Sequence, residues 1–257
     1  LRSLMRSDLP DFQEIRDDKK RIAIEYSLPK WLVNHWVTHH GLEKTEEIAQ
    51  SLLAPVKSTV RANISRGSVD DIVTKLENEG FNVEKDDILP FCLHVSGQTI
   101  VNSRAFKDGY VSIQDKSSMM VAHIMKLGRD DKVLDACSAP GGKACHMAEI
   151  LSPEGQVDAT DIHLHKIDLI QHNIKKLKLD NIHAFQHDAT EPYKEMYDKI
   201  LVDAPCSGLG VLRHKPEIKY TQTQDSIQSL VDLQLQILEN IKHNIKSGGT
   251  ITYSTCT

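Results

Sequence analysis

Five apolar, strand-like segments alternate with helical segments between about residue 111 and the end of the chain. They read KVLDA, QVDATD, IHAFQHD, DKILVDAP and GTITYSTC. One helical segment between them carries an apolar stripe at helical spacing, formed by Leu164, Ile167, Ile170, Ile174 and Leu177. Apolar strands need cover on both faces, and the intervening helices provide it. The pattern therefore predicts an α/β fold with a doubly wound, mostly parallel sheet over residues 111–257.

The chain before residue 111 has a different pattern. Residues 1–28 are charged with mixed sign, which indicates the tail of a preceding domain followed by a linker. Two helices are predicted from Pro29 onwards, the first ending at Gly41. A strand, a helix capped by Ser68 and a second strand follow. We expect residues 29–110 to form a small helical and α+β module, whose sheet either contacts a ligand or serves only for packing.

Composition argues against several classes of protein. The apolar runs fall short of the roughly 18 residues that a membrane span requires, and the first residues lack the apolar core of a signal peptide. Five cysteines show no C-x2-C spacing and thirteen histidines are scattered, so we expect no metal site. The chain begins on Leu, and we expect a fragment of a cytoplasmic protein with free thiols. A net charge of −5 disfavours indiscriminate nucleic-acid binding but is compatible with a local basic groove.

The first four predicted strands each close on an aspartate, at Asp135, Asp161, Asp188 and Asp203. A single acid in such a place is more often a helix cap. However, parallel strands end at the same edge of a sheet, and this edge is where doubly wound folds bind ligands. The four acids together therefore predict a binding site at the carboxyl ends of the strands.

The first of these strands runs into the turn of DACSAPGGKACHMAEIL. Pro140 stiffens the turn, Gly141 and Gly142 allow a ligand to approach the backbone, and Lys143 opens the following helix. The spacing matches neither G-x-G-x-x-G nor the P-loop. Asp161 follows Gly142 by 19 residues, close to the spacing at which an acid reaches a ribose hydroxyl in nucleotide-binding folds. These residues indicate an adenosine-containing cofactor.

Two cysteines lie at the ends of the fourth and fifth predicted strands. Free cysteines are usually small buried residues. If the two strands are neighbours, Cys206, Cys256 and Asp203 share one edge with the cofactor pocket. We expect Cys256 to end its strand at that edge and both thiols to act in catalysis.

At this point the motifs resemble those of a known family. DACSAPGGK, YDKILVDAPCSGLG and GGTITYSTC, in this order, are similar to the motifs of the Nop/Sun family of S-adenosylmethionine-dependent RNA cytosine-5 methyltransferases. The resemblance covers about residue 111 to the end and implies a Rossmann-like methyltransferase domain. Residues 29–110 resemble the small module of the bacterial branch that methylates small-subunit (16S) ribosomal RNA. In that branch a NusB-like helical domain comes first, so residues 1–28 are expected to be its remnant and linker.

The resemblance implies a role for each matching residue. Asp161 would hold the ribose, Asp188 would lie at the adenine, and Lys143 would order the acid cluster. Asp203 would lie beside the cofactor and the target base. The loop around the methionine end of the cofactor would comprise Cys137, Ser138, Ala139, Pro140, Gly141, Gly142 and Lys143. Because the family continues past its T-C motif, we expect the domain of residues 111–257 to be truncated at its C-terminal end.

The chemistry of cytosine explains why two thiols are needed. C5 is a poor nucleophile, and addition of a thiolate at C6 makes it reactive enough to take a methyl group. The T-C motif assigns the nucleophile to Cys256, and Cys206 would assist release of the C5 proton. DNA cytosine-5 methyltransferases use a P-C cysteine as the nucleophile, so Cys206 remains the alternative. Asp203 would stabilise the adduct through N3–H of the base.

The expected partner is small-subunit ribosomal RNA, bound by a monomer at a loop or single-stranded region. Arg213 and Lys215 follow the P-C motif and are the first candidates for RNA contact. Arg61, Arg66, Arg104 and Lys107 either line the RNA path as well or are solvated surface charges. Two other functions stay open. The same motifs fit a tRNA cytosine-5 methyltransferase, and the fold also fits a non-catalytic RNA-binding assembly protein.

Overall fold

The computed structural model of the chain describes residues 11–54 and 58–256. Part of the predicted N-terminal remnant, residues 1–10, lies outside the described residues, as does Thr257. Contacts divide the chain into two units. The first consists of the described part of residues 1–56 with residues 206–229 and Cys256, and the second of residues 58–205 and 230–255. Each unit is described by itself.

The described residues form α-helices and β-strands that are numbered here in chain order. The helices are α1 (Asp18–Glu25), α2 (Lys30–His40), α3 (Leu42–Ser51), α4 (Val69–Asn78), α5 (Arg104–Lys107), α6 (Lys116–Ile124), α7 (Gly142–Ile150), α8 (Leu164–Leu177), α9 (Ile218–Thr221) and α10 (Gln224–Ile241). The strands are β1 (Ser58–Ala62), β2 (Asn82–Lys85), β3 (Cys92–Ser96), β4 (Val111–Ile113), β5 (Lys132–Asp135), β6 (Gln156–Asp161), β7 (Ile182–Gln186), β8 (Tyr197–Asp203) and β9 (Ile245–Ser254). Among the described residues, no helix combines the length and apolar character that spanning a bilayer would require.

The first unit is helical. Helices α1, α2 and α3 enclose a small core to which Ile22, Leu32 and Ala49 contribute, and Leu209 and Leu212 from the later segment pack in the same core. Helix α1 lies in the stretch that the sequence pattern assigned to a linker. Its eight residues are largely charged, but its Arg21 is buried and paired with Glu25 and Glu46. The helix is therefore stabilised by ion pairs that its own hydropathy does not reveal.

The second unit contains a four-stranded antiparallel sheet in the order β2-β3-β1-β4. The sequence predicted two strands around one helix; β2 and β4 were missed because they are only four and three residues long. Helix α4 begins after Ser68, whose hydroxyl accepts a hydrogen bond from the Asp71 N–H as predicted for a cap. Val60, Ile72 and Leu93 lie in the core of this sheet and its helices.

The larger sheet of the second unit has five described strands in the order β7-β6-β5-β8-β9, and every pair is parallel. Val133 packs in a core with α6, α7 and α8, while Leu134 packs in a second core with α10. Successive residues of a strand point to opposite faces, so both faces of the sheet are covered. The predicted doubly wound, parallel α/β fold is confirmed.

Two details of the predicted elements are wrong. Strand β9 begins at Ile245 and ends at Ser254, so Cys256 lies beyond the strand rather than at its end. Leu164, placed on the buried stripe of α8, is 63% exposed because it is the first residue of the helix, whereas Ile170 is fully buried.

Candidate active site

Three of the four predicted acids end strands of the parallel sheet. Asp135, Asp161 and Asp203 are the last residues of β5, β6 and β8, and Asp188 follows β7 by two residues. The strands are parallel neighbours, so these residues lie at the same edge of the sheet. The edge predicted for ligand binding therefore carries a concentration of carboxylates.

The turn after β5 is held in a defined conformation. The N–H of Ser138 donates to the Thr160 carbonyl at 2.8 Å, which ties the turn to the end of β6. The Ala139–Pro140 peptide bond is cis. Gly141 has φ +96°, and a Cβ there would lie 3.0 Å from Cγ2 of Ile170. Only glycine meets both conditions without strain, so the turn can start α7 close against α8.

Lys143 and Asp203 form an ion pair within this edge. Lys143 Nζ lies 2.6 Å from Asp203 Oδ2, and the Ser254 hydroxyl donates to Oδ1 at 2.7 Å. Lys143 belongs to the first turn of α7, and Ser254 ends β9. The carboxylate of Asp203 is thus fixed by one group from each of its neighbours. The sequence predicted that Lys143 would order the acids, and the ion pair provides a means.

Asp135 is the most perturbed acid of the edge. It is fully buried, and neither of its carboxyl oxygens reaches hydrogen-bond geometry with another group among the described residues. Burial and the nearby Asp203 carboxylate raise its pKa to about 7, while Lys143, the Ser138 hydroxyl and the Cys137 N–H oppose the rise. At neutral pH this carboxyl is poised between its neutral and charged forms.

The other two acids are fixed by local contacts. Oδ1 of Asp161 accepts the His163 N–H at 3.1 Å and lies 3.5 Å from Lys166 Nζ. Oδ1 of Asp188 accepts the Thr190 N–H and hydroxyl, and these bonds hold the pKa of Asp188 below its ordinary value. Both acids are therefore positioned to receive hydroxyl or amino groups of a ligand with their remaining oxygens.

The turn and the acids fit a cationic, polar cofactor such as S-adenosylmethionine. Asp135 presents two buried carboxyl oxygens that need a donor, and the buried Ser138 hydroxyl is also unpaired within the described chain. A Cβ at Gly142 would meet no protein atom within 4 Å, so packing does not require a glycine there. Close approach of a ligand to the backbone does require one. Cys137 would line this site as a neutral thiol, since burial raises its pKa to about 12.

The two predicted catalytic cysteines come together in the first unit. Their Sγ atoms are 2.9 Å apart, although 50 residues separate them in sequence. The Cys256 N–H also donates to Cys206 Sγ at 3.3 Å, and the Gly210 N–H donates to the Cys256 carbonyl at 2.9 Å. Cys256 is exposed and Cys206 is half-buried. Cys206 Sγ therefore accepts a backbone N–H from Cys256, and Cys256 is the more accessible residue of the pair.

Of the six arginines and lysines predicted to contact RNA, four are exposed: Arg104, Lys107, Lys215 and Arg213, whose guanidinium donates to the Ser51 carbonyl within the first unit. Arg66 is half-buried. Arg61 is fully buried and ion-paired with Glu149. The prediction that Arg61 contacts RNA is therefore wrong, because its guanidinium has no access to the surface.

A basic cluster lies around Tyr110, and only its member Arg66 was among the residues predicted to contact RNA. Arg66 and Lys75 lie 4.9 Å and 4.7 Å from the centre of its ring. Hydrogen bonding by Arg66 and the charges of Lys75 and Lys178 lower the pKa of Tyr110. We call Arg66, Lys75, Lys178 and Tyr110 the Tyr110 cluster. Tyr110 and Lys178 are far from Arg66 and Lys75 in sequence, so the sequence could not show that the four residues form one cluster.

One group of potential metal ligands is explained by internal contacts. Asp86, Cys92 and His94 hold their ligand atoms within 4.8 Å of one another. Lys116 Nζ lies 2.7 Å from the Asp86 carboxylate, which also accepts two backbone N–H groups. Burial raises the pKa of Cys92 to about 11, so its thiol stays protonated. The ammonium already balances the charge a metal ion would bind, and we derive no metal site from this group.

The raised pKa of Asp135 predicts a pH-dependent stability of the ligand-free protein. Because the folded state holds this proton more tightly than the unfolded state, its stabilising effect is present below about pH 4 and is lost as pH rises through about 7. Asp135→Asn removes the group, so the Tm of the variant relative to the wild type should rise between pH 5 and pH 8, by roughly 3 °C or more. Thermal melting at both pH values measures this difference.

The matched control is Asp188→Asn. The pKa of Asp188 is lowered, so its ionised form stabilises the fold at both pH 5 and pH 8. This variant should lose a similar amount of stability at the two pH values. An equal effect of Asp135→Asn at pH 5 and pH 8 would contradict a raised pKa at this position.

Comparisons with known proteins agree with the predicted family. A family model described as 16S rRNA methyltransferase RsmB/F matches residues 122–257, and an RsmF/B-like, ferredoxin-like domain matches residues 28–102. A probable ribosomal RNA small subunit methyltransferase B of Bacillus subtilis is 42% identical over all of this chain and 58% of its own length. A probable methyltransferase B of Synechocystis is 32% identical over 93% of this chain and 56% of its own length. The chain thus spans a little over half the length of the curated relatives it matches.

The fold also matches a solved structure, a methyltransferase homologue from Pyrococcus horikoshii. The TM-score is 0.82 at 25% identity, over 94% of this chain and 78% of that one. The model matched to residues 122–257 contains the parallel sheet, the acid edge and both cysteines. The resemblance that the three motifs suggested is confirmed, and the chain belongs to the 16S rRNA methyltransferase RsmB/F family.

Proposed function

We propose that the protein transfers a methyl group from S-adenosylmethionine to C5 of a cytosine in small-subunit ribosomal RNA, through a covalent bond between a cysteine and C6 of the base. The observation that carries the proposal is the 2.9 Å separation of the Cys206 and Cys256 sulfurs. Each cysteine follows a different strand of the sheet, Cys206 three residues after β8 and Cys256 two residues after β9. Methyl transfer to an oxygen or nitrogen of RNA would need no such pair.

The contacts of the thiol pair support Cys256 as the nucleophile. Cys256 is the exposed residue of the pair, and the N–H that it donates to Cys206 Sγ keeps the two side chains together. The Cys256 thiol gives its proton to solvent before it reacts. The Cys256 thiolate then adds to C6, and the electron pair moves to C5, which attacks the methyl group. Cys206, once its own proton has passed to solvent, takes the C5 proton directly or through water. The electron pair left on C5 re-forms the C5–C6 double bond, and the C6–S bond breaks to release methylated RNA and the Cys256 thiolate.

The acid edge supports a site for the cofactor. When bound, S-adenosylmethionine supplies a methyl group on a positively charged sulfur. Asp135 and the turn from Cys137 to Lys143 would hold its methionine end, Asp161 its ribose and Asp188 its adenine. Asp203, fixed by Lys143 and Ser254, would accept the N3–H that forms on the cytosine during addition. Because the carboxylate is already held in place, it can stabilise the adduct through this hydrogen bond without reorganising during the reaction.

The Tyr110 cluster supports a path for RNA over the small antiparallel sheet. Two cations lie over one phenol ring and the charge of a third, Lys178, also acts on the phenol, an arrangement that suits a phosphate of the RNA backbone. Arg104, Arg213 and Lys215 would add further phosphate contacts from their exposed positions. These contacts replace the one that was predicted for Arg61.

The family name favours ribosomal RNA over tRNA as the substrate. We further propose that the protein works in the cytoplasm, where this RNA is found. Residues 29–110 would act as a module that binds RNA, and residues 111–257 as the methyltransferase domain. Action as a monomer and a NusB-like origin for residues 1–28 stay predictions.

The cofactor site is tested by two adjacent glycines. Gly142→Ala should leave the Tm within about 2 °C of the wild type, because the position is helical and uncrowded. It should weaken S-adenosylmethionine at least about tenfold, because the methyl group occupies the space the ligand approaches. Isothermal titration calorimetry measures the affinity. Gly141→Ala should instead lower the Tm, because of its φ of +96° and its contact with Ile170. Wild-type affinity in Gly142→Ala would place the cofactor elsewhere.

The roles of the thiols are tested by trapping the RNA adduct. With the protein expressed at the full length of its open reading frame, Cys206→Ala should accumulate a protein–RNA band on a denaturing gel, since release of the C5 proton fails. Cys256→Ala should give neither adduct nor methylated RNA. Cys92→Ala, which removes a buried thiol of the antiparallel sheet, is the control and should turn over. The reverse pattern, an adduct only in Cys256→Ala, would make Cys206 the nucleophile.

The RNA path is tested by salt dependence. Lys75→Ala and Arg66→Ala should each weaken binding of the RNA and reduce the slope of log affinity against log salt by about one. Lys85→Ala is the control, because it also removes one positive charge. Lys85 is an exposed residue of β2 that is already paired with Asp70, so its loss should change the slope little. Equal effects of Lys75→Ala and Lys85→Ala would reduce the Tyr110 cluster to a general surface charge.

A further inference from the structure

Arg61 joins the small antiparallel sheet to the helix that follows the cofactor turn. It lies in β1, an inner strand of the sheet, and is fully buried. Its Nε donates to Glu149 Oε2 at 2.9 Å and its Nη2 to Oε1 at 2.6 Å, a bidentate pair. Nη1 donates to the Gly142 carbonyl at 2.9 Å and to the side-chain oxygen of Gln114. Four of its five N–H groups therefore have named acceptors.

These contacts fix α7 at two points. Gly142 is its first residue and Glu149 lies seven residues later, so both are on one face of the helix, about 10 Å apart along its axis. One guanidinium thus holds the first turn and the penultimate residue of the helix at once. The first turn contains Gly142 and Lys143, which the proposed cofactor site uses.

A second residue of the same segment holds the neighbouring helix. Asn63 is two residues after Arg61 and is also buried. Its Nδ2 donates to the Leu177 carbonyl at the end of α8 at 3.2 Å and to the Gly109 carbonyl at 3.0 Å. Helices α7 and α8 are in contact where Gly141 meets Ile170. The small sheet therefore anchors both helices that support the cofactor turn.

Stability alone does not explain this arrangement. Arg61 and Glu149 are both completely buried, and burial raises the pKa of Glu149 against the opposing charge of Arg61. Well-packed apolar residues in place of a buried ion pair often leave a fold equally stable or more stable, whereas removing one partner is strongly destabilising. What apolar side chains would not provide is a directed hydrogen bond to the Gly142 carbonyl.

We propose that Arg61 is a positioning residue of the cofactor site, which sets the first turn of α7 through the Gly142 carbonyl and so makes the small antiparallel sheet a structural part of that site. The inference rests on the proposed binding of S-adenosylmethionine at the turn. It assigns a role in cofactor binding to an arginine whose sequence context indicated contact with RNA.

The experiment separates positioning from folding with a paired replacement. Arg61→Met with Glu149→Leu removes both charges and should keep the Tm within about 3 °C of the wild type. Arg61→Met alone should melt much earlier, because Glu149 is left unpaired. Despite its restored Tm, the double variant should bind S-adenosylmethionine at least about tenfold more weakly in calorimetry. In turnover, its KM for the cofactor should rise, while its KM for RNA stays close to the wild type.

A conservative variant covers the case in which the double variant does not fold. Arg61→Lys keeps a cation for Glu149, but a single ammonium group cannot make the bidentate pair and the Gly142 contact together. It should fold and still bind the cofactor at least about tenfold more weakly. Wild-type affinity in either folded variant, or an affinity that only follows the Tm, would overturn the inference. Failure of the wild type to bind S-adenosylmethionine would instead reject the proposed function.

Discussion

The five strands β5, β6, β7, β8 and β9 all pair in parallel, and this single direction determines where the site lies. Both faces of these strands are covered by helices, so each connection must return over a face, and the strands run in one direction. Their carboxyl ends therefore meet at one edge. The register then aligns Asp203 with Ser254, and the first turn of α7 reaches Asp203 through Lys143. An acid edge made from residues far apart in sequence follows from the direction of the strands.

Buried charge is the second theme of the structure. Asp135 is buried without a hydrogen-bond partner in the described chain, and Arg61 is buried with four hydrogen bonds. The first arrangement leaves an unmet requirement that a cationic ligand would satisfy. The second gives four of the five N–H groups of Arg61 an acceptor, and it fixes the backbone beside the first. Burial of a charge thus has two outcomes in this protein. Asp135 is left without a donor, and Arg61 is paired and supports the turn beside it.

Local sequence patterns predicted the parallel sheet, the acids at its edge and the turn at Gly141, because these depend on periodicity and on residues adjacent in the chain. The same patterns could not predict contacts between residues that are far apart in the chain. An arginine at position 61 looks the same in sequence whether it meets solvent or Glu149, which lies 88 residues away. The position of Cys256, two residues beyond the end of β9, depends on where strand pairing with β8 stops. The Tyr110 cluster needs the fold to bring its members together.

The proposed reaction is the transfer of a methyl group to C5 of cytosine in small-subunit ribosomal RNA. The most direct measurement uses the protein expressed at the full length of its open reading frame, unmethylated 16S ribosomal RNA and methyl-labelled S-adenosylmethionine. The RNA is digested to nucleosides and the labelled product is identified by mass spectrometry. We predict a label in 5-methylcytidine alone. A label in an N-methylated or 2′-O-methylated nucleoside would contradict it, since neither reaction uses the thiol pair.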